Sequence, residues 1–404
     1  MPDYKNIKIK DFIYPLPEEY IAKYPASKRS DSKLLIWSNG VIKKDIFRNI
    51  DNYIPAKSLM IFNNTKVIHA RILFKKKSGA TIEIFCLEPL QPSDHQLAFS
   101  EKGKTVWKCL IGNSKKWKNE VLEKEIEINK KTITLQACKK AVADNSQAIE
   151  FSWGGDSPFA EIIETAGVLP IPPYLKRDTE PSDEENYQTV YAKLNGSVAA
   201  PTAGLHFTNS TLNKLKEKSV RLYEITLHVG AGTFKPVKTN TIGVHKMHTE
   251  KVSISKYVIE KLLYEKNKPI AVGTTTVRSV ESLFWLGLKK ETQLLNDQNL
   301  HISQWEPYEK TDIADTSKSL ENILNCLEKT GSEVINFSTD IMIVPGYDFK
   351  LTKGMVTNFH LPASTLLLLV SAFLGNDWKK VYNFALTEKF RFLSYGDCNL
   401  YLKE

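Results

Sequence analysis

TIEIFCLEPL (81–90), TVWKCLIG (105–112), VLEKEIEI (121–128), KTITLQAC (131–138) and AIEFSW (148–153) are short runs in which apolar and polar residues alternate. A period of two places one set of side chains on a core and the other in water, the pattern of a half-buried strand. Turns rich in Gly, Asn and Lys separate the runs. The stretch therefore predicts a small all-β module, a barrel or a sandwich.

On either side the pattern changes. SLMIFNNTKVIHARILF (58–74) reads as strand, Asn-rich turn, strand. Beyond 151, helical spacing returns in DSPFAEIIETAGVLP (156–170), where Asp156 or Ser157 can cap, Pro158 stands near the first helical position and Gly167 stops the helix. It recurs in TNSTLNKLKEKSV (208–220), SKYVIEKLLYEKN (255–267), SLENILNCLEKTG (319–331) and DWKKVYNFALTEKF (377–390). RLYEITLHV (221–229), PIAVGTT (269–275) and DIMIVPGY (340–347) read as strands between them. The fold class is thus α/β: a large α/β domain over 1–73 and 152–404, with an inserted small all-β barrel domain over 74–151.

The chain has 404 residues, with 55 Lys and Arg against 46 Asp and Glu, so a formal charge of +9 favours an anionic partner. Residues 74–150 hold 14 Lys and no Arg against 10 acidic residues, so part of that surplus sits on the β module. The five Cys are scattered with no C-x-x-C pair, which argues against a disulfide framework and a thiolate zinc site. The N-terminus lacks an apolar signal region, and LLLLVSAFLG (366–375) is too short to cross a bilayer. A cytoplasmic protein without a membrane partner is expected.

Six histidines sit in loops with distinctive neighbours: His69, His206, His228, His245, His248 and His360. His95 and His301 lie in plain polar loops. Imidazole exchanges protons near neutrality, so such loops suit acid/base work, although each ring alone is also compatible with a satisfied core position. SVAAPTAGLHFT (197–208) is too broken for a helix and too poor in branched residues for a buried strand. In TLHVGAGTF (226–234) Gly230 and Gly232 follow a strand, but Lys235 replaces the third glycine of a dinucleotide fingerprint and no helix opens there. VHKMHTE (244–250) offers His245, His248 and Glu250, yet it is not H-E-x-x-H, and a hydrogen-bonding cluster is the better reading. AVGTTTVRSVES (271–282) passes from a strand through Thr274 and Thr275 to Arg278 on a helix, a place for a phosphate, ribose or carboxylate.

Together FNNTKVIHARI (62–72), SVAAPTAGLHFT, LHVGAGTFKPV (227–237), HKMHTE (245–250), AVGTTTVRSVES, STDIMIVPGYDF (338–349), TNFHLPASTLLLLVSAF (357–373) and RFLSYGD (391–397) resemble the S-adenosylmethionine:tRNA ribosyltransferase-isomerase family of queuosine biosynthesis. KDFIYPLPEEYIAKYPASKRSDSKLL (10–35) extends the likeness. The resemblance implies transfer and isomerisation of the ribosyl moiety of S-adenosylmethionine onto 7-aminomethyl-7-deazaguanine at the tRNA wobble position. Epoxyqueuosine forms, and adenine and methionine leave. It also implies no metal, with S-adenosylmethionine as co-substrate and tRNA as partner; a monomer is expected. Asn64, Lys66 and His69 depart from the family's Asp, Arg and Pro, and the stretch 284–336 is a family-atypical extension. A diverged paralogue with another acceptor, and a tRNA-binding protein without ribosyl transfer, are the alternatives; a methyltransferase is disfavoured by the missing fingerprint.

The sulfonium acidifies the adjacent ribose protons, adenine must be protonated as it leaves, and the acceptor ammonium must lose a proton before attack. His206, His228, His245, His248 and His360, with Glu250 orienting a ring or facing the cation, are expected to share one pocket for these steps. Gly204, Gly230 and Gly232 are expected to admit the nucleoside to the backbone. Thr202, Thr274, Thr275, Arg278 and Asn358 complete the expected substrate set, with Thr274, Thr275 and Arg278 holding the ribose or the methionine carboxylate. Lys115, Lys116 and Lys118 are expected phosphate contacts, with Trp107, Trp117 or Tyr347 as stacking platforms for bases.

Overall fold

Leu59–Asn63, Ile270–Val272 and Gly354–Asn358 are strands in which every residue is buried. Such unbroken apolar runs belong at the middle of a sheet covered on both faces. In the computed structural model, which describes residues 4–118, 120–143, 146–230, 237, 239–265, 269–289, 294–295, 300–309 and 315–403, they form the centre of a ten-stranded mixed sheet. From one edge the order is His301–Ile302, Val334–Thr339, Glu250–Ser255, Arg221–His228, Leu59–Asn63, Ile270–Val272, Gly354–Asn358, Cys398–Leu402, Lys33–Ser38 and Val41–Ile46.

The pleat divides the core. Leu35, Trp37, Leu59, Ile61, Ala271 and Met355 point to one face, where the helices Thr274–Gly287 and Thr365–Leu374 pack. Leu34, Ile36, Met60, Phe62, Ile270, Val272 and Val356 point to the other, against Phe47, Phe207 and Leu215. One residue of register slip would exchange the two sets, so the pairing is fixed by burial.

The alternating runs form a second sheet, antiparallel throughout and seven-stranded, which curls into a half-barrel. Its order is Gly167–Val168, Arg71–Lys75, Thr81–Gln91, Lys104–Gly112, Ser146–Ser152, Lys131–Ala143 and Leu122–Ile128. Phe74, Ile84, Trp107, Leu135 and Phe151 fill its concave side, and the helix Phe159–Ala166 closes it with Phe159, Ile162 and Ile163. The α/β class with a small all-β module is therefore borne out.

DIMIVPGY departs from expectation. Ile341–Val344 are buried but outside any ladder, the strand ending at Thr339. Thr339 Oγ1 takes the Ile341 N–H at 3.0 Å, turning the chain into the core. Within 284–336, the helix Thr316–Thr330 is capped by Asp315 and ends on Gly331 at φ 64°. Its Ser319 Oγ donates to Phe284 O at 2.6 Å, and Leu320, Ile323 and Leu327 join the main core.

Candidate functional site

The parallel neighbours Ile270–Val272 and Gly354–Asn358 end side by side, with Gly273 N–H bonded to Val356 O at 2.8 Å. The carboxyl ends of parallel strands are where α/β sheets leave a crevice. Here Thr202, Thr274, Thr275, Asn358 and His360 line a small cavity of about 80 Å³. Two helices begin at its wall. One starts after Gly273, whose φ of 98° lets the chain turn without a side-chain cap, and the other after Ser364, whose hydroxyl caps the Leu367 N–H. Their amide ends make a positive partial charge inside the cavity.

Asn358 lies 3% exposed at the strand end. Its Nδ2 donates to Leu393 O and to Nε2 of His206, both at 3.1 Å, while its Oδ1 is buried without a partner among the described residues. Since Nε2 accepts, Nδ1 of His206 carries the proton and donates to Ser32 Oγ at 2.8 Å. Burial, helped by Arg391, pushes His206 down to about 3. SVAAPTAGLHFT is therefore a cavity wall followed by a tight turn, Thr202–His206, pinned from behind by Ser32 and Asn358. Burial likewise pushes His360 down to about 3; its Nε2 meets Thr357 Oγ1 at 3.0 Å and its carbonyl accepts from Tyr14.

A larger cavity, about 440 Å³, opens between the half-barrel and the main sheet. Val229 lines both cavities, and Ser364, Thr365 and Leu366 alternate between them, so the two adjoin. The half-barrel contributes Glu88 and Lys108, paired at 2.7 Å; the main sheet contributes His228 and Lys251, and the loop between their strands Gly230, His245 and His248. His95, from the short helix His95–Ser100, lies flat on His228 with ring centres 3.8 Å apart and planes 3° from parallel. Burial pushes His95 down to about 2, His228 and Lys251 adding to it, and burial pushes His228 down to about 4. Burial and then His248 lower His245.

Glu250 and Arg278 lie behind this wall. The guanidinium meets Glu250 Oε2 at 2.6 Å and donates to Ile341 O at 2.9 Å, and His248 Nε2 stands 3.4 Å from Glu250 Oε1. Burial opposes ionisation of Glu250, but Arg278 and His248 outweigh it and hold the carboxyl below its usual range.

The expected single pocket is thus two adjoining cavities with a buried pair behind them. His228, Gly230, His245 and His248 share the larger; Thr202, Thr274, Thr275, Asn358 and His360 share the smaller. Other expected residues lie outside these two cavities. His206 has both ring nitrogens engaged and lines a small third cavity beside Arg29 and Ser394, Arg278 pairs with Glu250 but keeps Nη2 without a partner among the described residues, and a Cβ on Gly204 would strike the Tyr191 hydroxyl. Trp107, Trp117 and Tyr347 are buried in cores and offer no stacking face. Gly232 lies outside the described residues. Lys115, Lys116 and Lys118 sit exposed around a half-barrel turn. Sequence reasoning missed His95, Lys251 and Ser364 as cavity residues. Ser364 was legible as a cap before an apolar helix; nothing in SDHQLAFS signals a stacking partner 133 residues away.

Among the described residues no group of three or more His, Cys, Asp or Glu is placed to hold a metal ion, and no helix is long and apolar enough to cross a membrane.

Residues 9–401 match the family described as queuosine biosynthesis protein. The S-adenosylmethionine:tRNA ribosyltransferase-isomerase of Sulfurihydrogenibium sp. is 38% identical over 402 residues, covering 98% of this chain and 99% of that protein. That of Aquifex aeolicus is 36% identical over 402 residues, covering 98% and 100%. A crystal structure of an S-adenosylmethionine tRNA ribosyltransferase from Thermotoga maritima is 28% identical, covers 97% of this chain and 100% of that one, and gives a TM-score of 0.46.

Proposed function

Since the chain belongs to the S-adenosylmethionine:tRNA ribosyltransferase-isomerase family, we propose that its two adjoining cavities divide that reaction, the smaller taking the amino-acid end of the donor and the larger the acceptor nucleoside. The enzyme transfers and isomerises the ribosyl group of S-adenosylmethionine onto 7-aminomethyl-7-deazaguanine at the wobble position of tRNA, forming epoxyqueuosine and releasing adenine and methionine.

The observation that carries the division is the buried Asn358 Oδ1, without a partner among the described residues, at a cavity walled by two helix N-termini. An α-amino acid presents a carboxylate for the amide ends and an ammonium for the amide oxygen, so both of its charges are met. The cavity, about 80 Å³, has room for such a group. The donor's sulfonium and ribose then lie near Val229, where the cavities meet, and His228, His245 and His248 face the acceptor. His360 stands at the donor end. Glu250, fixed by Arg278, orients His248 rather than meeting substrate.

Incubation with S-adenosylmethionine and tRNA carrying the deazaguanine precursor tests the activity. Adenine and methionine appear in equal amounts and the wobble base gains a cyclopentane epoxide. Release of S-adenosylhomocysteine would indicate methyl transfer instead, and no release a binding protein.

A further inference from the structure

His95 comes from the half-barrel and His228 from the main sheet, yet their rings are stacked face to face at 3.8 Å. The stack is tightly built. Gly196, at φ 145°, leaves no room for a Cβ, which would collide with Nδ1 of His228 and press on Cδ2 of His95. Trp107 meets the His95 ring edge-on with centres 6.2 Å apart, so His95 is wedged between an indole and an imidazole. Nδ1 of His228 is buried against the Gly196 backbone, which favours a proton on that nitrogen and leaves the other as the acceptor of a ring that lines the cavity.

Charge decides what such a ring can meet. Around His228 stand His95 and Asp94 from the half-barrel helix, Lys251 from the neighbouring strand, and Glu88, Lys108, His245, Lys246 and His248 across the cavity. Two rings at stacking distance cannot both be cationic without strong repulsion, and Lys251 disfavours charge on either. The acceptor's aminomethyl group is itself a cation. A neutral imidazole can accept a hydrogen bond from it, whereas an imidazolium would repel it.

We propose that His95 is a positioning residue for acceptor binding: it clamps His228 against Gly196 as a neutral ring whose free nitrogen accepts a hydrogen bond from the ammonium of the 7-aminomethyl group. The half-barrel thereby completes the acceptor site of the main sheet. This rests on the assignment of the larger cavity to the acceptor.

The test is the pH dependence of KM for the precursor tRNA in full-length protein carrying His95→Ala, with His95→Gln in its place if that variant does not fold. Losing the cover lets water reach His228, so KM rises at least tenfold more between pH 7.5 and 5.5 than in the parent enzyme, while kcat changes less. His95→Phe, which restores a flat cover without a second titrating ring, returns the KM profile toward the parent's. A role in packing alone would alter KM by the same factor at every pH, and that result overturns the proposal. So does a pH-dependent KM that persists in His95→Ala/His228→Gln, where the ring in question is gone. His228→Gln alone separates the premise: if it leaves kcat/KM at the parent level, the cavity assignment fails rather than the role of His95.

Discussion

Glu250 and Arg278 form an ion pair at 2.6 Å in which neither side chain is more than 2% exposed. Removing one partner of a buried pair strands the other charge, at a cost of about 3–5 kcal/mol. Glu250→Gln and Arg278→Met are each expected to lose stability on that scale in urea unfolding, and the double variant less than their sum. Additive losses would show that the pair does not act as a unit.

Acid should weaken the fold before its carboxylates titrate. An unfolded chain protonates histidine near pH 6.5 (about that value), whereas burial holds His206 and His360 down at about 3 and His228 at about 4. Between these limits the unfolded state binds more protons. Stability is therefore full above roughly pH 6.5 and falls toward pH 4, by up to about 1.4 kcal/mol per pH unit per histidine. The depressed Glu250 carboxyl adds a further loss below its ordinary range. Equal unfolding free energies at pH 7 and pH 5 would contradict the neutral, buried placement of these rings.

Gly204→Ala separates packing from binding at the loop 197–208. The new methyl group meets the buried Tyr191 hydroxyl, and overpacking of this kind costs about 1–3 kcal/mol. Tyr191→Phe in the same chain should recover part of that loss. KM for S-adenosylmethionine is expected to stay within a factor of two (roughly the scatter of an additive site). A tenfold rise in KM with no loss of stability would return Gly204 to the substrate.

Lys246 and Lys251 edge the larger cavity, where a wobble nucleotide would bring its phosphates. Lys246→Gln and Lys251→Gln should each lower the slope of log affinity for tRNA against log salt by about one. The triple change at Lys115, Lys116 and Lys118 supplies the comparison. A larger drop from that turn than from the cavity lysines would move the main phosphate contact onto the half-barrel surface.

The half-barrel was legible because its long strands bury one face, which writes period two directly into residues such as Ile82, Ile84 and Cys86. The central strands were legible as apolar runs, but their order was not. Lys33–Ser38 and Cys398–Leu402 pair in parallel from opposite ends of the chain, and no local pattern records such a contact. The site shows the same division. Thr274, Thr275, Asn358 and His360 were readable because a strand end, a glycine or a cap precedes a helix there. His206 shared that local pattern, but its partner Ser32 is 174 residues away, and no local pattern records that contact. His95 failed in the opposite sense, a plain helical position that tertiary packing places on His228.

The division of the donor between two cavities is tested most directly by a crystal structure with S-adenosylhomocysteine, which keeps the amino-acid end and nucleoside but lacks the reactive sulfonium. The carboxylate is expected at the amide ends that begin at Thr274 and Thr365, the ammonium on Asn358 Oδ1, and the ribose beside Val229. An amino-acid end bound outside the cavity of Asn358 and His360, with the adenosine in its place, would contradict it.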